Sequence, residues 1–512
     1  MFDKKRGSVV YNVEVKGVLN LEPISVPEGQ RQLFLDDHGI AKLENLRRTI
    51  HQPVKRGAVL KPDRPWETVL QIRCAPAWDE SKQIFKLWVV TFASIAGYPI
   101  AGSTYAESKD GINWTKPILR QYEYQGSREN NFVTPDPKLN WPANAIMSVV
   151  YDPDDPDPNR RFKGFAGAKD RKPIVSSDGI DWKFLEVSSL PSQDESNLSY
   201  DRLARTFVAT LKTSGPYGRS HGIWTSKDFN SWTKLEVLFH ADKLDQELGR
   251  KNIEKCFADS KRNHPEYNIP STHNVDVYNM GVFRYEGLYL GMPAMFHQTG
   301  RVSKDWQGFD KMGLADEILK EVRTSGDWSG FHHVQLACSR DLLNWTRLGE
   351  RQPFLDLSPV AGGAYDTQVI LPPSTALVRG DELWFYYTGI RSYAIISGGK
   401  RDLGGAICLA VLRRDGFMSL DAQKEPGTLL TKPFVVNWTK LSVNVDAREG
   451  TLEVSVLDGA GKTVAVSEPI VGNKLRATVQ WKSGDLASHE GRPMSLRFIL
   501  RNAQFYSFWC DK

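Results

Sequence analysis

Four segments of the sequence repeat one pattern, in which a serine is followed two residues later by an aspartate and then by a tryptophan. The segments are 106–116 (AESKDGINWTK), 175–184 (VSSDGIDWKF), 224–234 (WTSKDFNSWTK) and 337–347 (ACSRDLLNWTR). A fifth segment, 410–420 (AVLRRDGFMSL), keeps the aspartate and glycine but lacks the serine and the tryptophan. Aspartate and serine side chains accept hydrogen bonds from nearby backbone amides in tight turns. Each segment therefore predicts a turn between two strands, with the tryptophan covering the edge of the sheet.

The spacing of the repeat predicts the architecture. The aspartates lie at positions 110, 178, 228, 341 and 415, and short runs of apolar residues such as 84–92 and 382–389 fill the intervals. Long helical patterns are scarce, the best candidates being about 241–256 and 309–323. Intervals of this size suit four-stranded units that bury their faces only by stacking on neighbours around an axis. The sequence predicts an all-β chain with a five-bladed β-propeller.

The repeat stops near residue 428, which predicts a domain boundary. Residues 428–512 alternate apolar and polar side chains between Gly-rich turns, as a small antiparallel C-terminal β-sandwich does. We therefore divide the chain into an N-terminal extension (1–30), a propeller (31–427) and the sandwich (428–512). We expect the segment 31–53 to supply a strand that closes the propeller onto its fifth blade, because closure removes exposed sheet edges.

Composition excludes several classes of function. The 66 Lys and Arg residues nearly balance the 61 Asp and Glu residues, and no basic run is present, so we expect no nucleic-acid partner. No stretch approaches 18 apolar residues and the first residues lack the apolar core of a signal peptide, so we expect no membrane partner. The five cysteines show no metal-binding or disulfide spacing and are expected to be buried thiols. We expect no metal and no cofactor; the oligomeric state is not predicted.

Carboxylates at the entries to the predicted blades are the candidate catalytic residues. The innermost strands of a propeller run in one direction along its axis, so polar groups at their starts converge on one mouth. Acid–base catalysis by a carboxyl pair needs one protonated and one ionised group. The candidates are Asp194, Glu67, Asp366 and Asp276. For each of them the alternative is a structural role in a turn, a cap or a surface loop.

Aromatic and polar residues near the same entries are the candidate substrate-binding residues. Aromatic rings can stack on the apolar face of a ligand, whereas arginines can hold a carboxylate or sulfate by bidentate contacts. The candidates are Trp66, Arg73, Arg128, Asn130, His221, His273, Tyr278 and Tyr365. The alternative for the aromatic residues is packing in the core, and for the histidines a structural or solvent-facing position.

The five repeats, with four further segments, resemble glycoside hydrolase families 32, 43 and 68, and more closely the branch described as family 32 N-terminal-like. These segments are 33–37 (LFLDD), 59–67 (VLKPDRPWE), 151–165 (YDPDDPDPNRRFKGF) and the tail 453–500 (EVSVLDGAGK…GRPMSLRFIL). The resemblance covers roughly residues 31–510. It implies a five-bladed propeller with a sugar-cleaving funnel, a C-terminal sandwich, a carbohydrate substrate, three carboxylates on the first three blades, and a secreted or periplasmic location.

The sequence departs from the pattern of family 32. The signatures WxNDPN, RDP and EC are absent, and Glu129-Asn130-Asn131 stands where the second blade would carry an aspartate. Three functions therefore remain open. The first is a glycoside hydrolase, the second a non-catalytic glycan-binding propeller, and the third a glycoside phosphorylase, which would need a cluster of Arg or His beside the acid to hold phosphate.

Overall fold

The computed structural model describes residues 21–92, 100–139, 143–392 and 404–512. These residues form 36 strands, two α-helices and a few short 3₁₀ turns, which confirms the all-β prediction. The strands before residue 202 are β1 Gln32–Leu33, β2 Ile40–Glu44, β3 Arg47–Ile50, β4 Val54–Leu60, β5 Val69–Gln71, β6 Ala77–Asp79, β7 Ile84–Phe92, β8 Ile100–Ser108, β9 Phe132–Val133, β10 Ile146–Tyr151, β11 Phe162–Ala166, β12 Asp170–Ser176, β13 Trp182–Phe184, β14 Leu190–Pro191 and β15 Ser196–Asp201.

The middle of the chain contains both helices. Its elements are β16 Thr206–Gly215, β17 Gly218–Ser226, β18 Thr233–Phe239, α1 Lys243–Ala258, β19 Asn274–Tyr285, β20 Leu288–Val302, α2 Asp316–Ser325, β21 Asp327–Val334, β22 Ala337–Ser339, β23 Thr346–Arg347, β24 Val369–Leu371, β25 Leu377–Arg379, β26 Glu382–Ile390 and β27 Gly405–Arg413. The last strands are β28 Met418–Ala422, β29 Gly427–Thr431, β30 Phe434–Val435, β31 Lys440–Leu457, β32 Thr463–Ser467, β33 Ile470–Thr478, β34 Trp481–Ser483, β35 Pro493–Arg501 and β36 Ala503–Asp511.

The described strands pair into five sheets. Three contain four or five strands from consecutive parts of the chain: β10 to β14, β15 to β18, and β19 to β23. The fourth sheet has ten strands and joins β4 to β9 with β24 to β27. Its junction is β27, which pairs antiparallel with β4 and touches β5 where Gly405 lies opposite Val69. The first and last repeated segments therefore belong to one continuous sheet.

The fifth sheet has twelve strands and draws them from both ends of the described chain. In this sheet β28 pairs with β36 and β29 with β35, while β1 pairs with β36, β2 with β29 and β3 with β28. Strands of the segment 31–53 thus pair with C-terminal strands, and the strand that pairs with β27 is the next one, β4. The physical reason is apolar packing, because Phe34 and Leu46 belong to the core of the C-terminal sheet.

The repeated turns have the hydrogen bonds predicted from the sequence. In the first repeat Asp110 Oδ1 accepts from the backbone amides of Ile112 and Asn113, each at 2.8 Å, and Ser108 Oγ accepts from Gly111 N at 2.9 Å. Trp114 Nε1 donates to the carbonyl of Gly111 at 3.1 Å, and the other three complete repeats make the same bond at 2.9–3.3 Å. The tryptophan is therefore tied to its own turn as well as packed on the sheet.

Replacing Asp110 with alanine tests the energetic importance of this turn. The substitution removes the acceptor of two backbone amides, and we expect the free energy of unfolding to fall by about 1 kcal/mol. Urea unfolding followed by tryptophan fluorescence measures it, with the exposed residue Glu425 changed to alanine as the control. An Asp110→Ala midpoint equal to that of the control would show that the turn forms without its acceptor.

The fifth repeated aspartate has a different role. Asp415 is buried and binds Arg31, Tyr285 at 2.6 Å and Ser507 at 2.6 Å, and Asn444 donates to it at 3.1 Å. These partners come from the N-terminal segment, β19, β36 and β31. Loss of the serine and tryptophan from this segment thus accompanies a change from a local turn to a contact between sheets.

The two predicted helices are present. Helix α1 begins after Asp242, whose side chain accepts from the amide of Asp245 at 3.0 Å while Asp245 Oδ2 accepts from the amide of Asp242 at 3.1 Å. This reciprocal capping explains why the helix begins near the predicted residue 241. Helix α2 begins at Asp316, later than the predicted 309, because a 3₁₀ turn spans Gln307–Lys311.

All five cysteines are buried free thiols, as the sequence predicted. No helix in the described part of the chain is long and apolar enough to cross a membrane. Among the same residues, no group of three or more His, Cys, Asp or Glu side chains is arranged to hold a metal ion.

Candidate functional site

A buried ion pair joins three sheets. Arg73, two residues after β5, uses Nε and Nη2 to contact both carboxylate oxygens of Glu195, which directly precedes β15. The two side chains are 5% and 2% exposed. Arg73 Nη2 also donates to Gln71 Oε1 at 2.8 Å, and Asn279 of β19 donates to Glu195 Oε2 at 2.6 Å. Bidentate, charge-assisted contacts of this kind fix side-chain geometry strongly. The network therefore joins the segment after β5 to the start of β15 and to the first half of β19.

Asp194 lies next to this network and reaches solvent. Its side chain is 56% exposed, and its Oδ2 accepts from Lys212 Nζ at 2.8 Å, although Lys212 itself is only 4% exposed. The backbone of Asp194 has a φ of 112°, a conformation that is strained for a residue with a side chain. Strain of this kind costs about 1–3 kcal/mol and concentrates at functional sites. The strained backbone of Asp194 therefore helps to set the position of its carboxylate.

Asp276, in β19, forms a second ion pair. Arg219 of β17 contacts Asp276 Oδ2 through Nη1 at 3.0 Å and through its backbone amide at 3.3 Å. Gly218 makes this approach possible, since a Cβ at that position would lie 3.0 Å from Asp276 Oδ2. Asp276 Oδ1 is buried and accepts no hydrogen bond from any residue that the structure describes. One oxygen of the Asp276 carboxyl group is therefore hydrogen-bonded to Arg219, and the other accepts no hydrogen bond from the described residues.

The ring of Tyr278 connects the two ion pairs. Lys212 Nζ lies 3.9 Å from the ring centroid and the guanidinium of Arg219 lies 5.4 Å from it. His221 Nε2 is 3.3 Å from the carbonyl oxygen of Tyr278, and the ring of His332 packs against the tyrosine ring at 4.5 Å. Cation–π contacts at these distances are attractive. We call Arg73, Arg171, Asp194, Glu195, Lys212, Arg219, His221, Asp276, Tyr278, Asn279 and His332 the central cluster.

Arg171 is the most unusual member of the central cluster. It is the second residue of β12 and is fully buried. Its Nη1 donates to the carbonyl of Gly167, but Nε and Nη2 have no hydrogen-bond partner within the described residues. Burial, with a smaller contribution from the charge of Arg73, lowers the pKa of Arg171 to about 10, although Glu195 and Asp194 oppose the change. The guanidinium of Arg171 therefore lies near charged side chains of the cluster, and its Nε and Nη2 edge makes no hydrogen bond to the described residues.

The two aspartates of the central cluster have opposite pKa shifts. Burial raises the pKa of Asp276 above its usual value, because Arg219 offsets only part of the desolvation. Desolvation also opposes ionisation of Asp194, but Lys212, assisted by Arg73, outweighs it and lowers the pKa. Over some range of pH, Asp194 is thus ionised while Asp276 retains its proton. Acid–base catalysis by two carboxyl groups requires that one is protonated and the other ionised at the same pH.

The histidines of the cluster are neutral. Burial, with a contribution from Lys212, lowers the pKa of His221 to about 3. Burial together with Arg219 and Lys212 lowers the pKa of His332 well below its usual value. Neutral imidazoles can serve as hydrogen-bond donors or acceptors for a polar ligand, and the cations beside them prevent their protonation near neutral pH.

Glu67 and Trp66 lie away from the central cluster. Glu67 Oε2 contacts Lys116 Nζ at 2.5 Å and accepts from the backbone amide of Asp63 at 3.0 Å. Trp66 packs against Phe132, with ring centroids 5.7 Å apart. A groove of about 890 Å³ lies beside this region, lined by residues of β4, the 61–63 loop and the first repeated turn. Burial raises the pKa of Glu67, although Lys116 opposes the rise.

Asp366 and Tyr365 lie just before β24. Lys55 Nζ contacts Asp366 Oδ2 at 2.6 Å, and the hydroxyl of Tyr387 donates to the same oxygen at 2.8 Å. The guanidinium of Arg391 stacks on Tyr365 at 4.1 Å. Because Lys55 belongs to β4, the ion pair links the β4 strand to the start of β24.

The remaining predicted site residues make local contacts. Arg128 is about 63% exposed, with Glu123 at 3.9 Å. Asn130 is buried, donates to the carbonyls of Tyr122 and Ser127, and accepts from the amide of Phe132, so it shapes its own loop. His273 Nε2 lies 3.1 Å from Asn268 Oδ1. Five predicted residues do belong to the central cluster: Arg73, Asp194, His221, Asp276 and Tyr278.

Sequence reasoning missed Arg171, Lys212 and Arg219. Lys212 follows the apolar run TFVATL of β16, and a lysine that continues a buried strand must find a partner for its charge. Arg171 and Arg219 lie within two residues of the start of their strands. Their relation to the aspartates follows from the pairing of strands, since Lys212 lies opposite His221 in the register of β16 and β17.

No family model matches the chain, and no curated protein matches it. Among solved structures, the chain is similar to a family 43 arabinoxylan arabinofuranohydrolase from Bacillus subtilis (9% identity, 89% of this chain and 99% of that chain, TM-score 0.36). It is also similar to a family 32 β-fructofuranosidase from Bombyx mori (8% identity, 89% and 93%, TM-score 0.37). A third similar structure is an N-acetylgalactosamine deacetylase from F. plautii (11% identity, 73% and 97%, TM-score 0.39). These names describe different reactions, so the chemistry of this chain is inferred from its own side chains.

Proposed function

We propose that this protein is a glycoside hydrolase, with Asp276 as the general acid and Asp194 as the ionised carboxylate that attacks the sugar or activates water. One observation carries the proposal: two aspartates with opposite pKa shifts are each paired with a cation, Lys212 or Arg219, that contacts the ring of Tyr278. Glycosidic cleavage uses such a pair, the acid protonating the leaving oxygen while the carboxylate acts on the other face of the sugar.

The other members of the central cluster have supporting roles in this proposal. Tyr278 offers an aromatic surface for the sugar, and the neutral His221 offers a hydrogen bond to a hydroxyl group. Lys212 keeps Asp194 ionised, while the pair of Arg73 and Glu195 holds the segment after β5 against the start of β15. Glu67 and Asp366, which the sequence also nominated, are assigned to holding the neighbouring loops through Lys116 and Lys55.

We further propose that the repeat-bearing sheets are the five blades of a propeller and that the C-terminal strands form a sandwich. Three separate sheets, together with the two halves of the ten-stranded sheet, supply five units. The contacts of β27 with β4 and β5 support ring closure. The proposed domains are those of the sequence, 1–30, 31–427 and 428–512, with β1 to β3 and β28 pairing with the sandwich strands.

One observation favours the second candidate, a non-catalytic glycan-binding protein. Every carboxylate that the sequence nominated is paired with a cation: Asp194 with Lys212, Asp276 with Arg219, Glu67 with Lys116 and Asp366 with Lys55. A cation beside an acid weakens its ability to hold a proton. Asp276 retains a raised pKa despite its partner, which is why hydrolysis is preferred.

A paired measurement of cleavage and binding tests the proposal. The full chain is incubated with a panel of plant and algal polysaccharides and arabino- and fructofuranosides, and released reducing ends are measured. The same sugars are applied to the chain on a glycan array. Hydrolysis that disappears in both Asp276→Asn and Asp194→Asn supports the proposal. Sugar binding without release of reducing ends from any bound sugar would replace it with the binding function.

A further inference from the structure

The central cluster contains more positive charge than its own carboxylates balance. Its cations are Arg73, Arg171, Lys212 and Arg219, and its carboxyl groups are Asp194, Glu195 and Asp276. Glu195 is fully used by Arg73, and each aspartate has its own partner. No carboxylate is therefore left for Arg171, and the cluster has an excess of one positive charge even with all three carboxyl groups ionised.

The unsatisfied edge of Arg171 has the geometry of an anion receptor. Nε and Nη2 lie on the same edge of a guanidinium and can donate two parallel hydrogen bonds to two oxygens of one group. Arg73 uses these same two atoms to hold Glu195. In Arg171 both atoms are buried and have no partner among the described residues. Two buried unpaired donors on a charged group carry a substantial desolvation penalty, which a bound anion would remove.

We propose that the central cluster binds an oxyanion, held by the Nε and Nη2 edge of Arg171 within the excess positive charge of the cluster. This deepens the proposed function by naming a substrate class, and the role of the anion in turnover rests on that function. The shared chemistry is a group with two or more equivalent oxygens. It can be a carboxylate or sulfate on the sugar, or inorganic phosphate as a second substrate.

The phosphate source would change the reaction from hydrolysis to phosphorolysis. A phosphate oxygen would attack the anomeric carbon and form a new C–O bond, while the glycosidic C–O bond breaks. The leaving oxygen would take the proton of Asp276, and the products would be a sugar phosphate and the shortened glycan. Phosphorolysis consumes no water and releases a sugar phosphate, whereas hydrolysis releases a sugar without phosphate. Analysis of the product therefore distinguishes phosphate as a second substrate from an anionic group on the sugar.

The binding test uses inorganic phosphate, sulfate and D-glucuronate as probes on the full chain, with glucose and sodium chloride at equal ionic strength as controls. Thermal unfolding and titration calorimetry measure the effect. We expect at least one oxyanion to raise Tm with a saturable dose dependence, whereas glucose and chloride do not. We expect Arg171→Met to weaken that binding at least tenfold, and Arg448→Gln, at an exposed ion pair of β31, to leave it unchanged.

A second variant keeps the test decisive if the buried Arg171→Met chain fails to fold. Arg171→Lys keeps a positive charge but loses the two parallel donors of the guanidinium edge, and it is expected to weaken oxyanion binding at least threefold. Equal Tm values with oxyanions and with chloride, or equal binding by both variants and wild type, would overturn the proposal.

Failure of the proposed function gives a different result, namely oxyanion binding without cleavage of any glycan. Cleavage that requires phosphate and yields a sugar phosphate identifies phosphate, whereas phosphate-independent cleavage restricted to uronate- or sulfate-bearing glycans identifies the sugar.

Discussion

Replacing Asp276 with asparagine is expected to lower kcat for glycoside cleavage by about 10²- to 10⁴-fold, the usual contribution of a general acid. Asparagine keeps the size of the side chain and can still accept from the Arg219 amide, but it has no proton to transfer to the leaving oxygen. KM is expected to change little, since the loss falls on the reacting step. Steady-state kinetics on the best substrate from the panel measure both constants.

A matched control separates this effect from general damage. Asp381 forms an exposed ion pair with Arg476, and Asp381→Asn makes the same chemical change at a distance from the central cluster. Its kcat is expected to equal that of the wild type. A kcat of Asp276→Asn within twofold of the control would remove Asp276 from the acid role.

The pH profile gives an independent reading of the same assignment. The raised pKa of Asp276 keeps the acid protonated above the usual aspartate value of 3.8, so kcat/KM should fall as pH rises through that raised pKa. The lowered pKa of Asp194 keeps this carboxylate ionised until the pH falls below 3.8, which places the acidic limb there. In Asp276→Asn the basic limb should disappear while the acidic limb remains.

Changing Arg73 to methionine is expected to lower the free energy of unfolding by about 3–5 kcal/mol. The substitution leaves the buried Glu195 carboxylate with Asn279 in place of a bidentate arginine. A buried charge without its partner carries a large desolvation penalty. Urea unfolding followed by fluorescence and circular dichroism measures the change.

The double variant Arg73→Met, Glu195→Leu distinguishes a charge effect from a packing effect. Removing both charges abolishes the desolvation penalty, so the double variant should be clearly more stable than Arg73→Met alone. The exposed pair of Arg120 and Glu129 supplies the control, and Arg120→Met should leave the unfolding midpoint unchanged. Additive losses in the double variant would show that side-chain volume, and not the ion pair, is what the site needs.

The sequence predicted the parts of the fold that depend on neighbouring residues. The turn at Asp110 uses acceptors and amides within three positions, so its hydrogen bonds follow directly from the local sequence. The segment 31–53 was assigned to ring closure, yet Phe34 packs in the C-terminal core. Its destination depends on apolar surface supplied more than 400 residues later, by strands such as β35 and β36, and the local pattern does not contain that information.

In the candidate site, too, some residues could be predicted from their local position in the sequence and others could not. The sequence predicts Asp194 and Asp276 as site residues because they lie at the starts of predicted inner strands, and both lie in the central cluster. Glu67 also precedes a predicted inner strand, but its side chain turns to Lys116, since a residue in a loop can face either side of the following sheet. Lys212 and Arg171 belong to β16 and β12, which are not the first strands of their sheets. Their place beside the aspartates depends on strand register, which requires the paired structure.

The pairing of β4 with β27 has a consequence for synthesis of the chain. Leu60 lies opposite Ile407 in this ladder, so about 350 residues must leave the ribosome before the partner strand exists. At a typical rate of about 5–20 residues per second, β4 has an unpaired edge for roughly 20–70 s. Unpaired edges invite association with other chains. The edge of β4 therefore needs protection from other chains until β27 has left the ribosome.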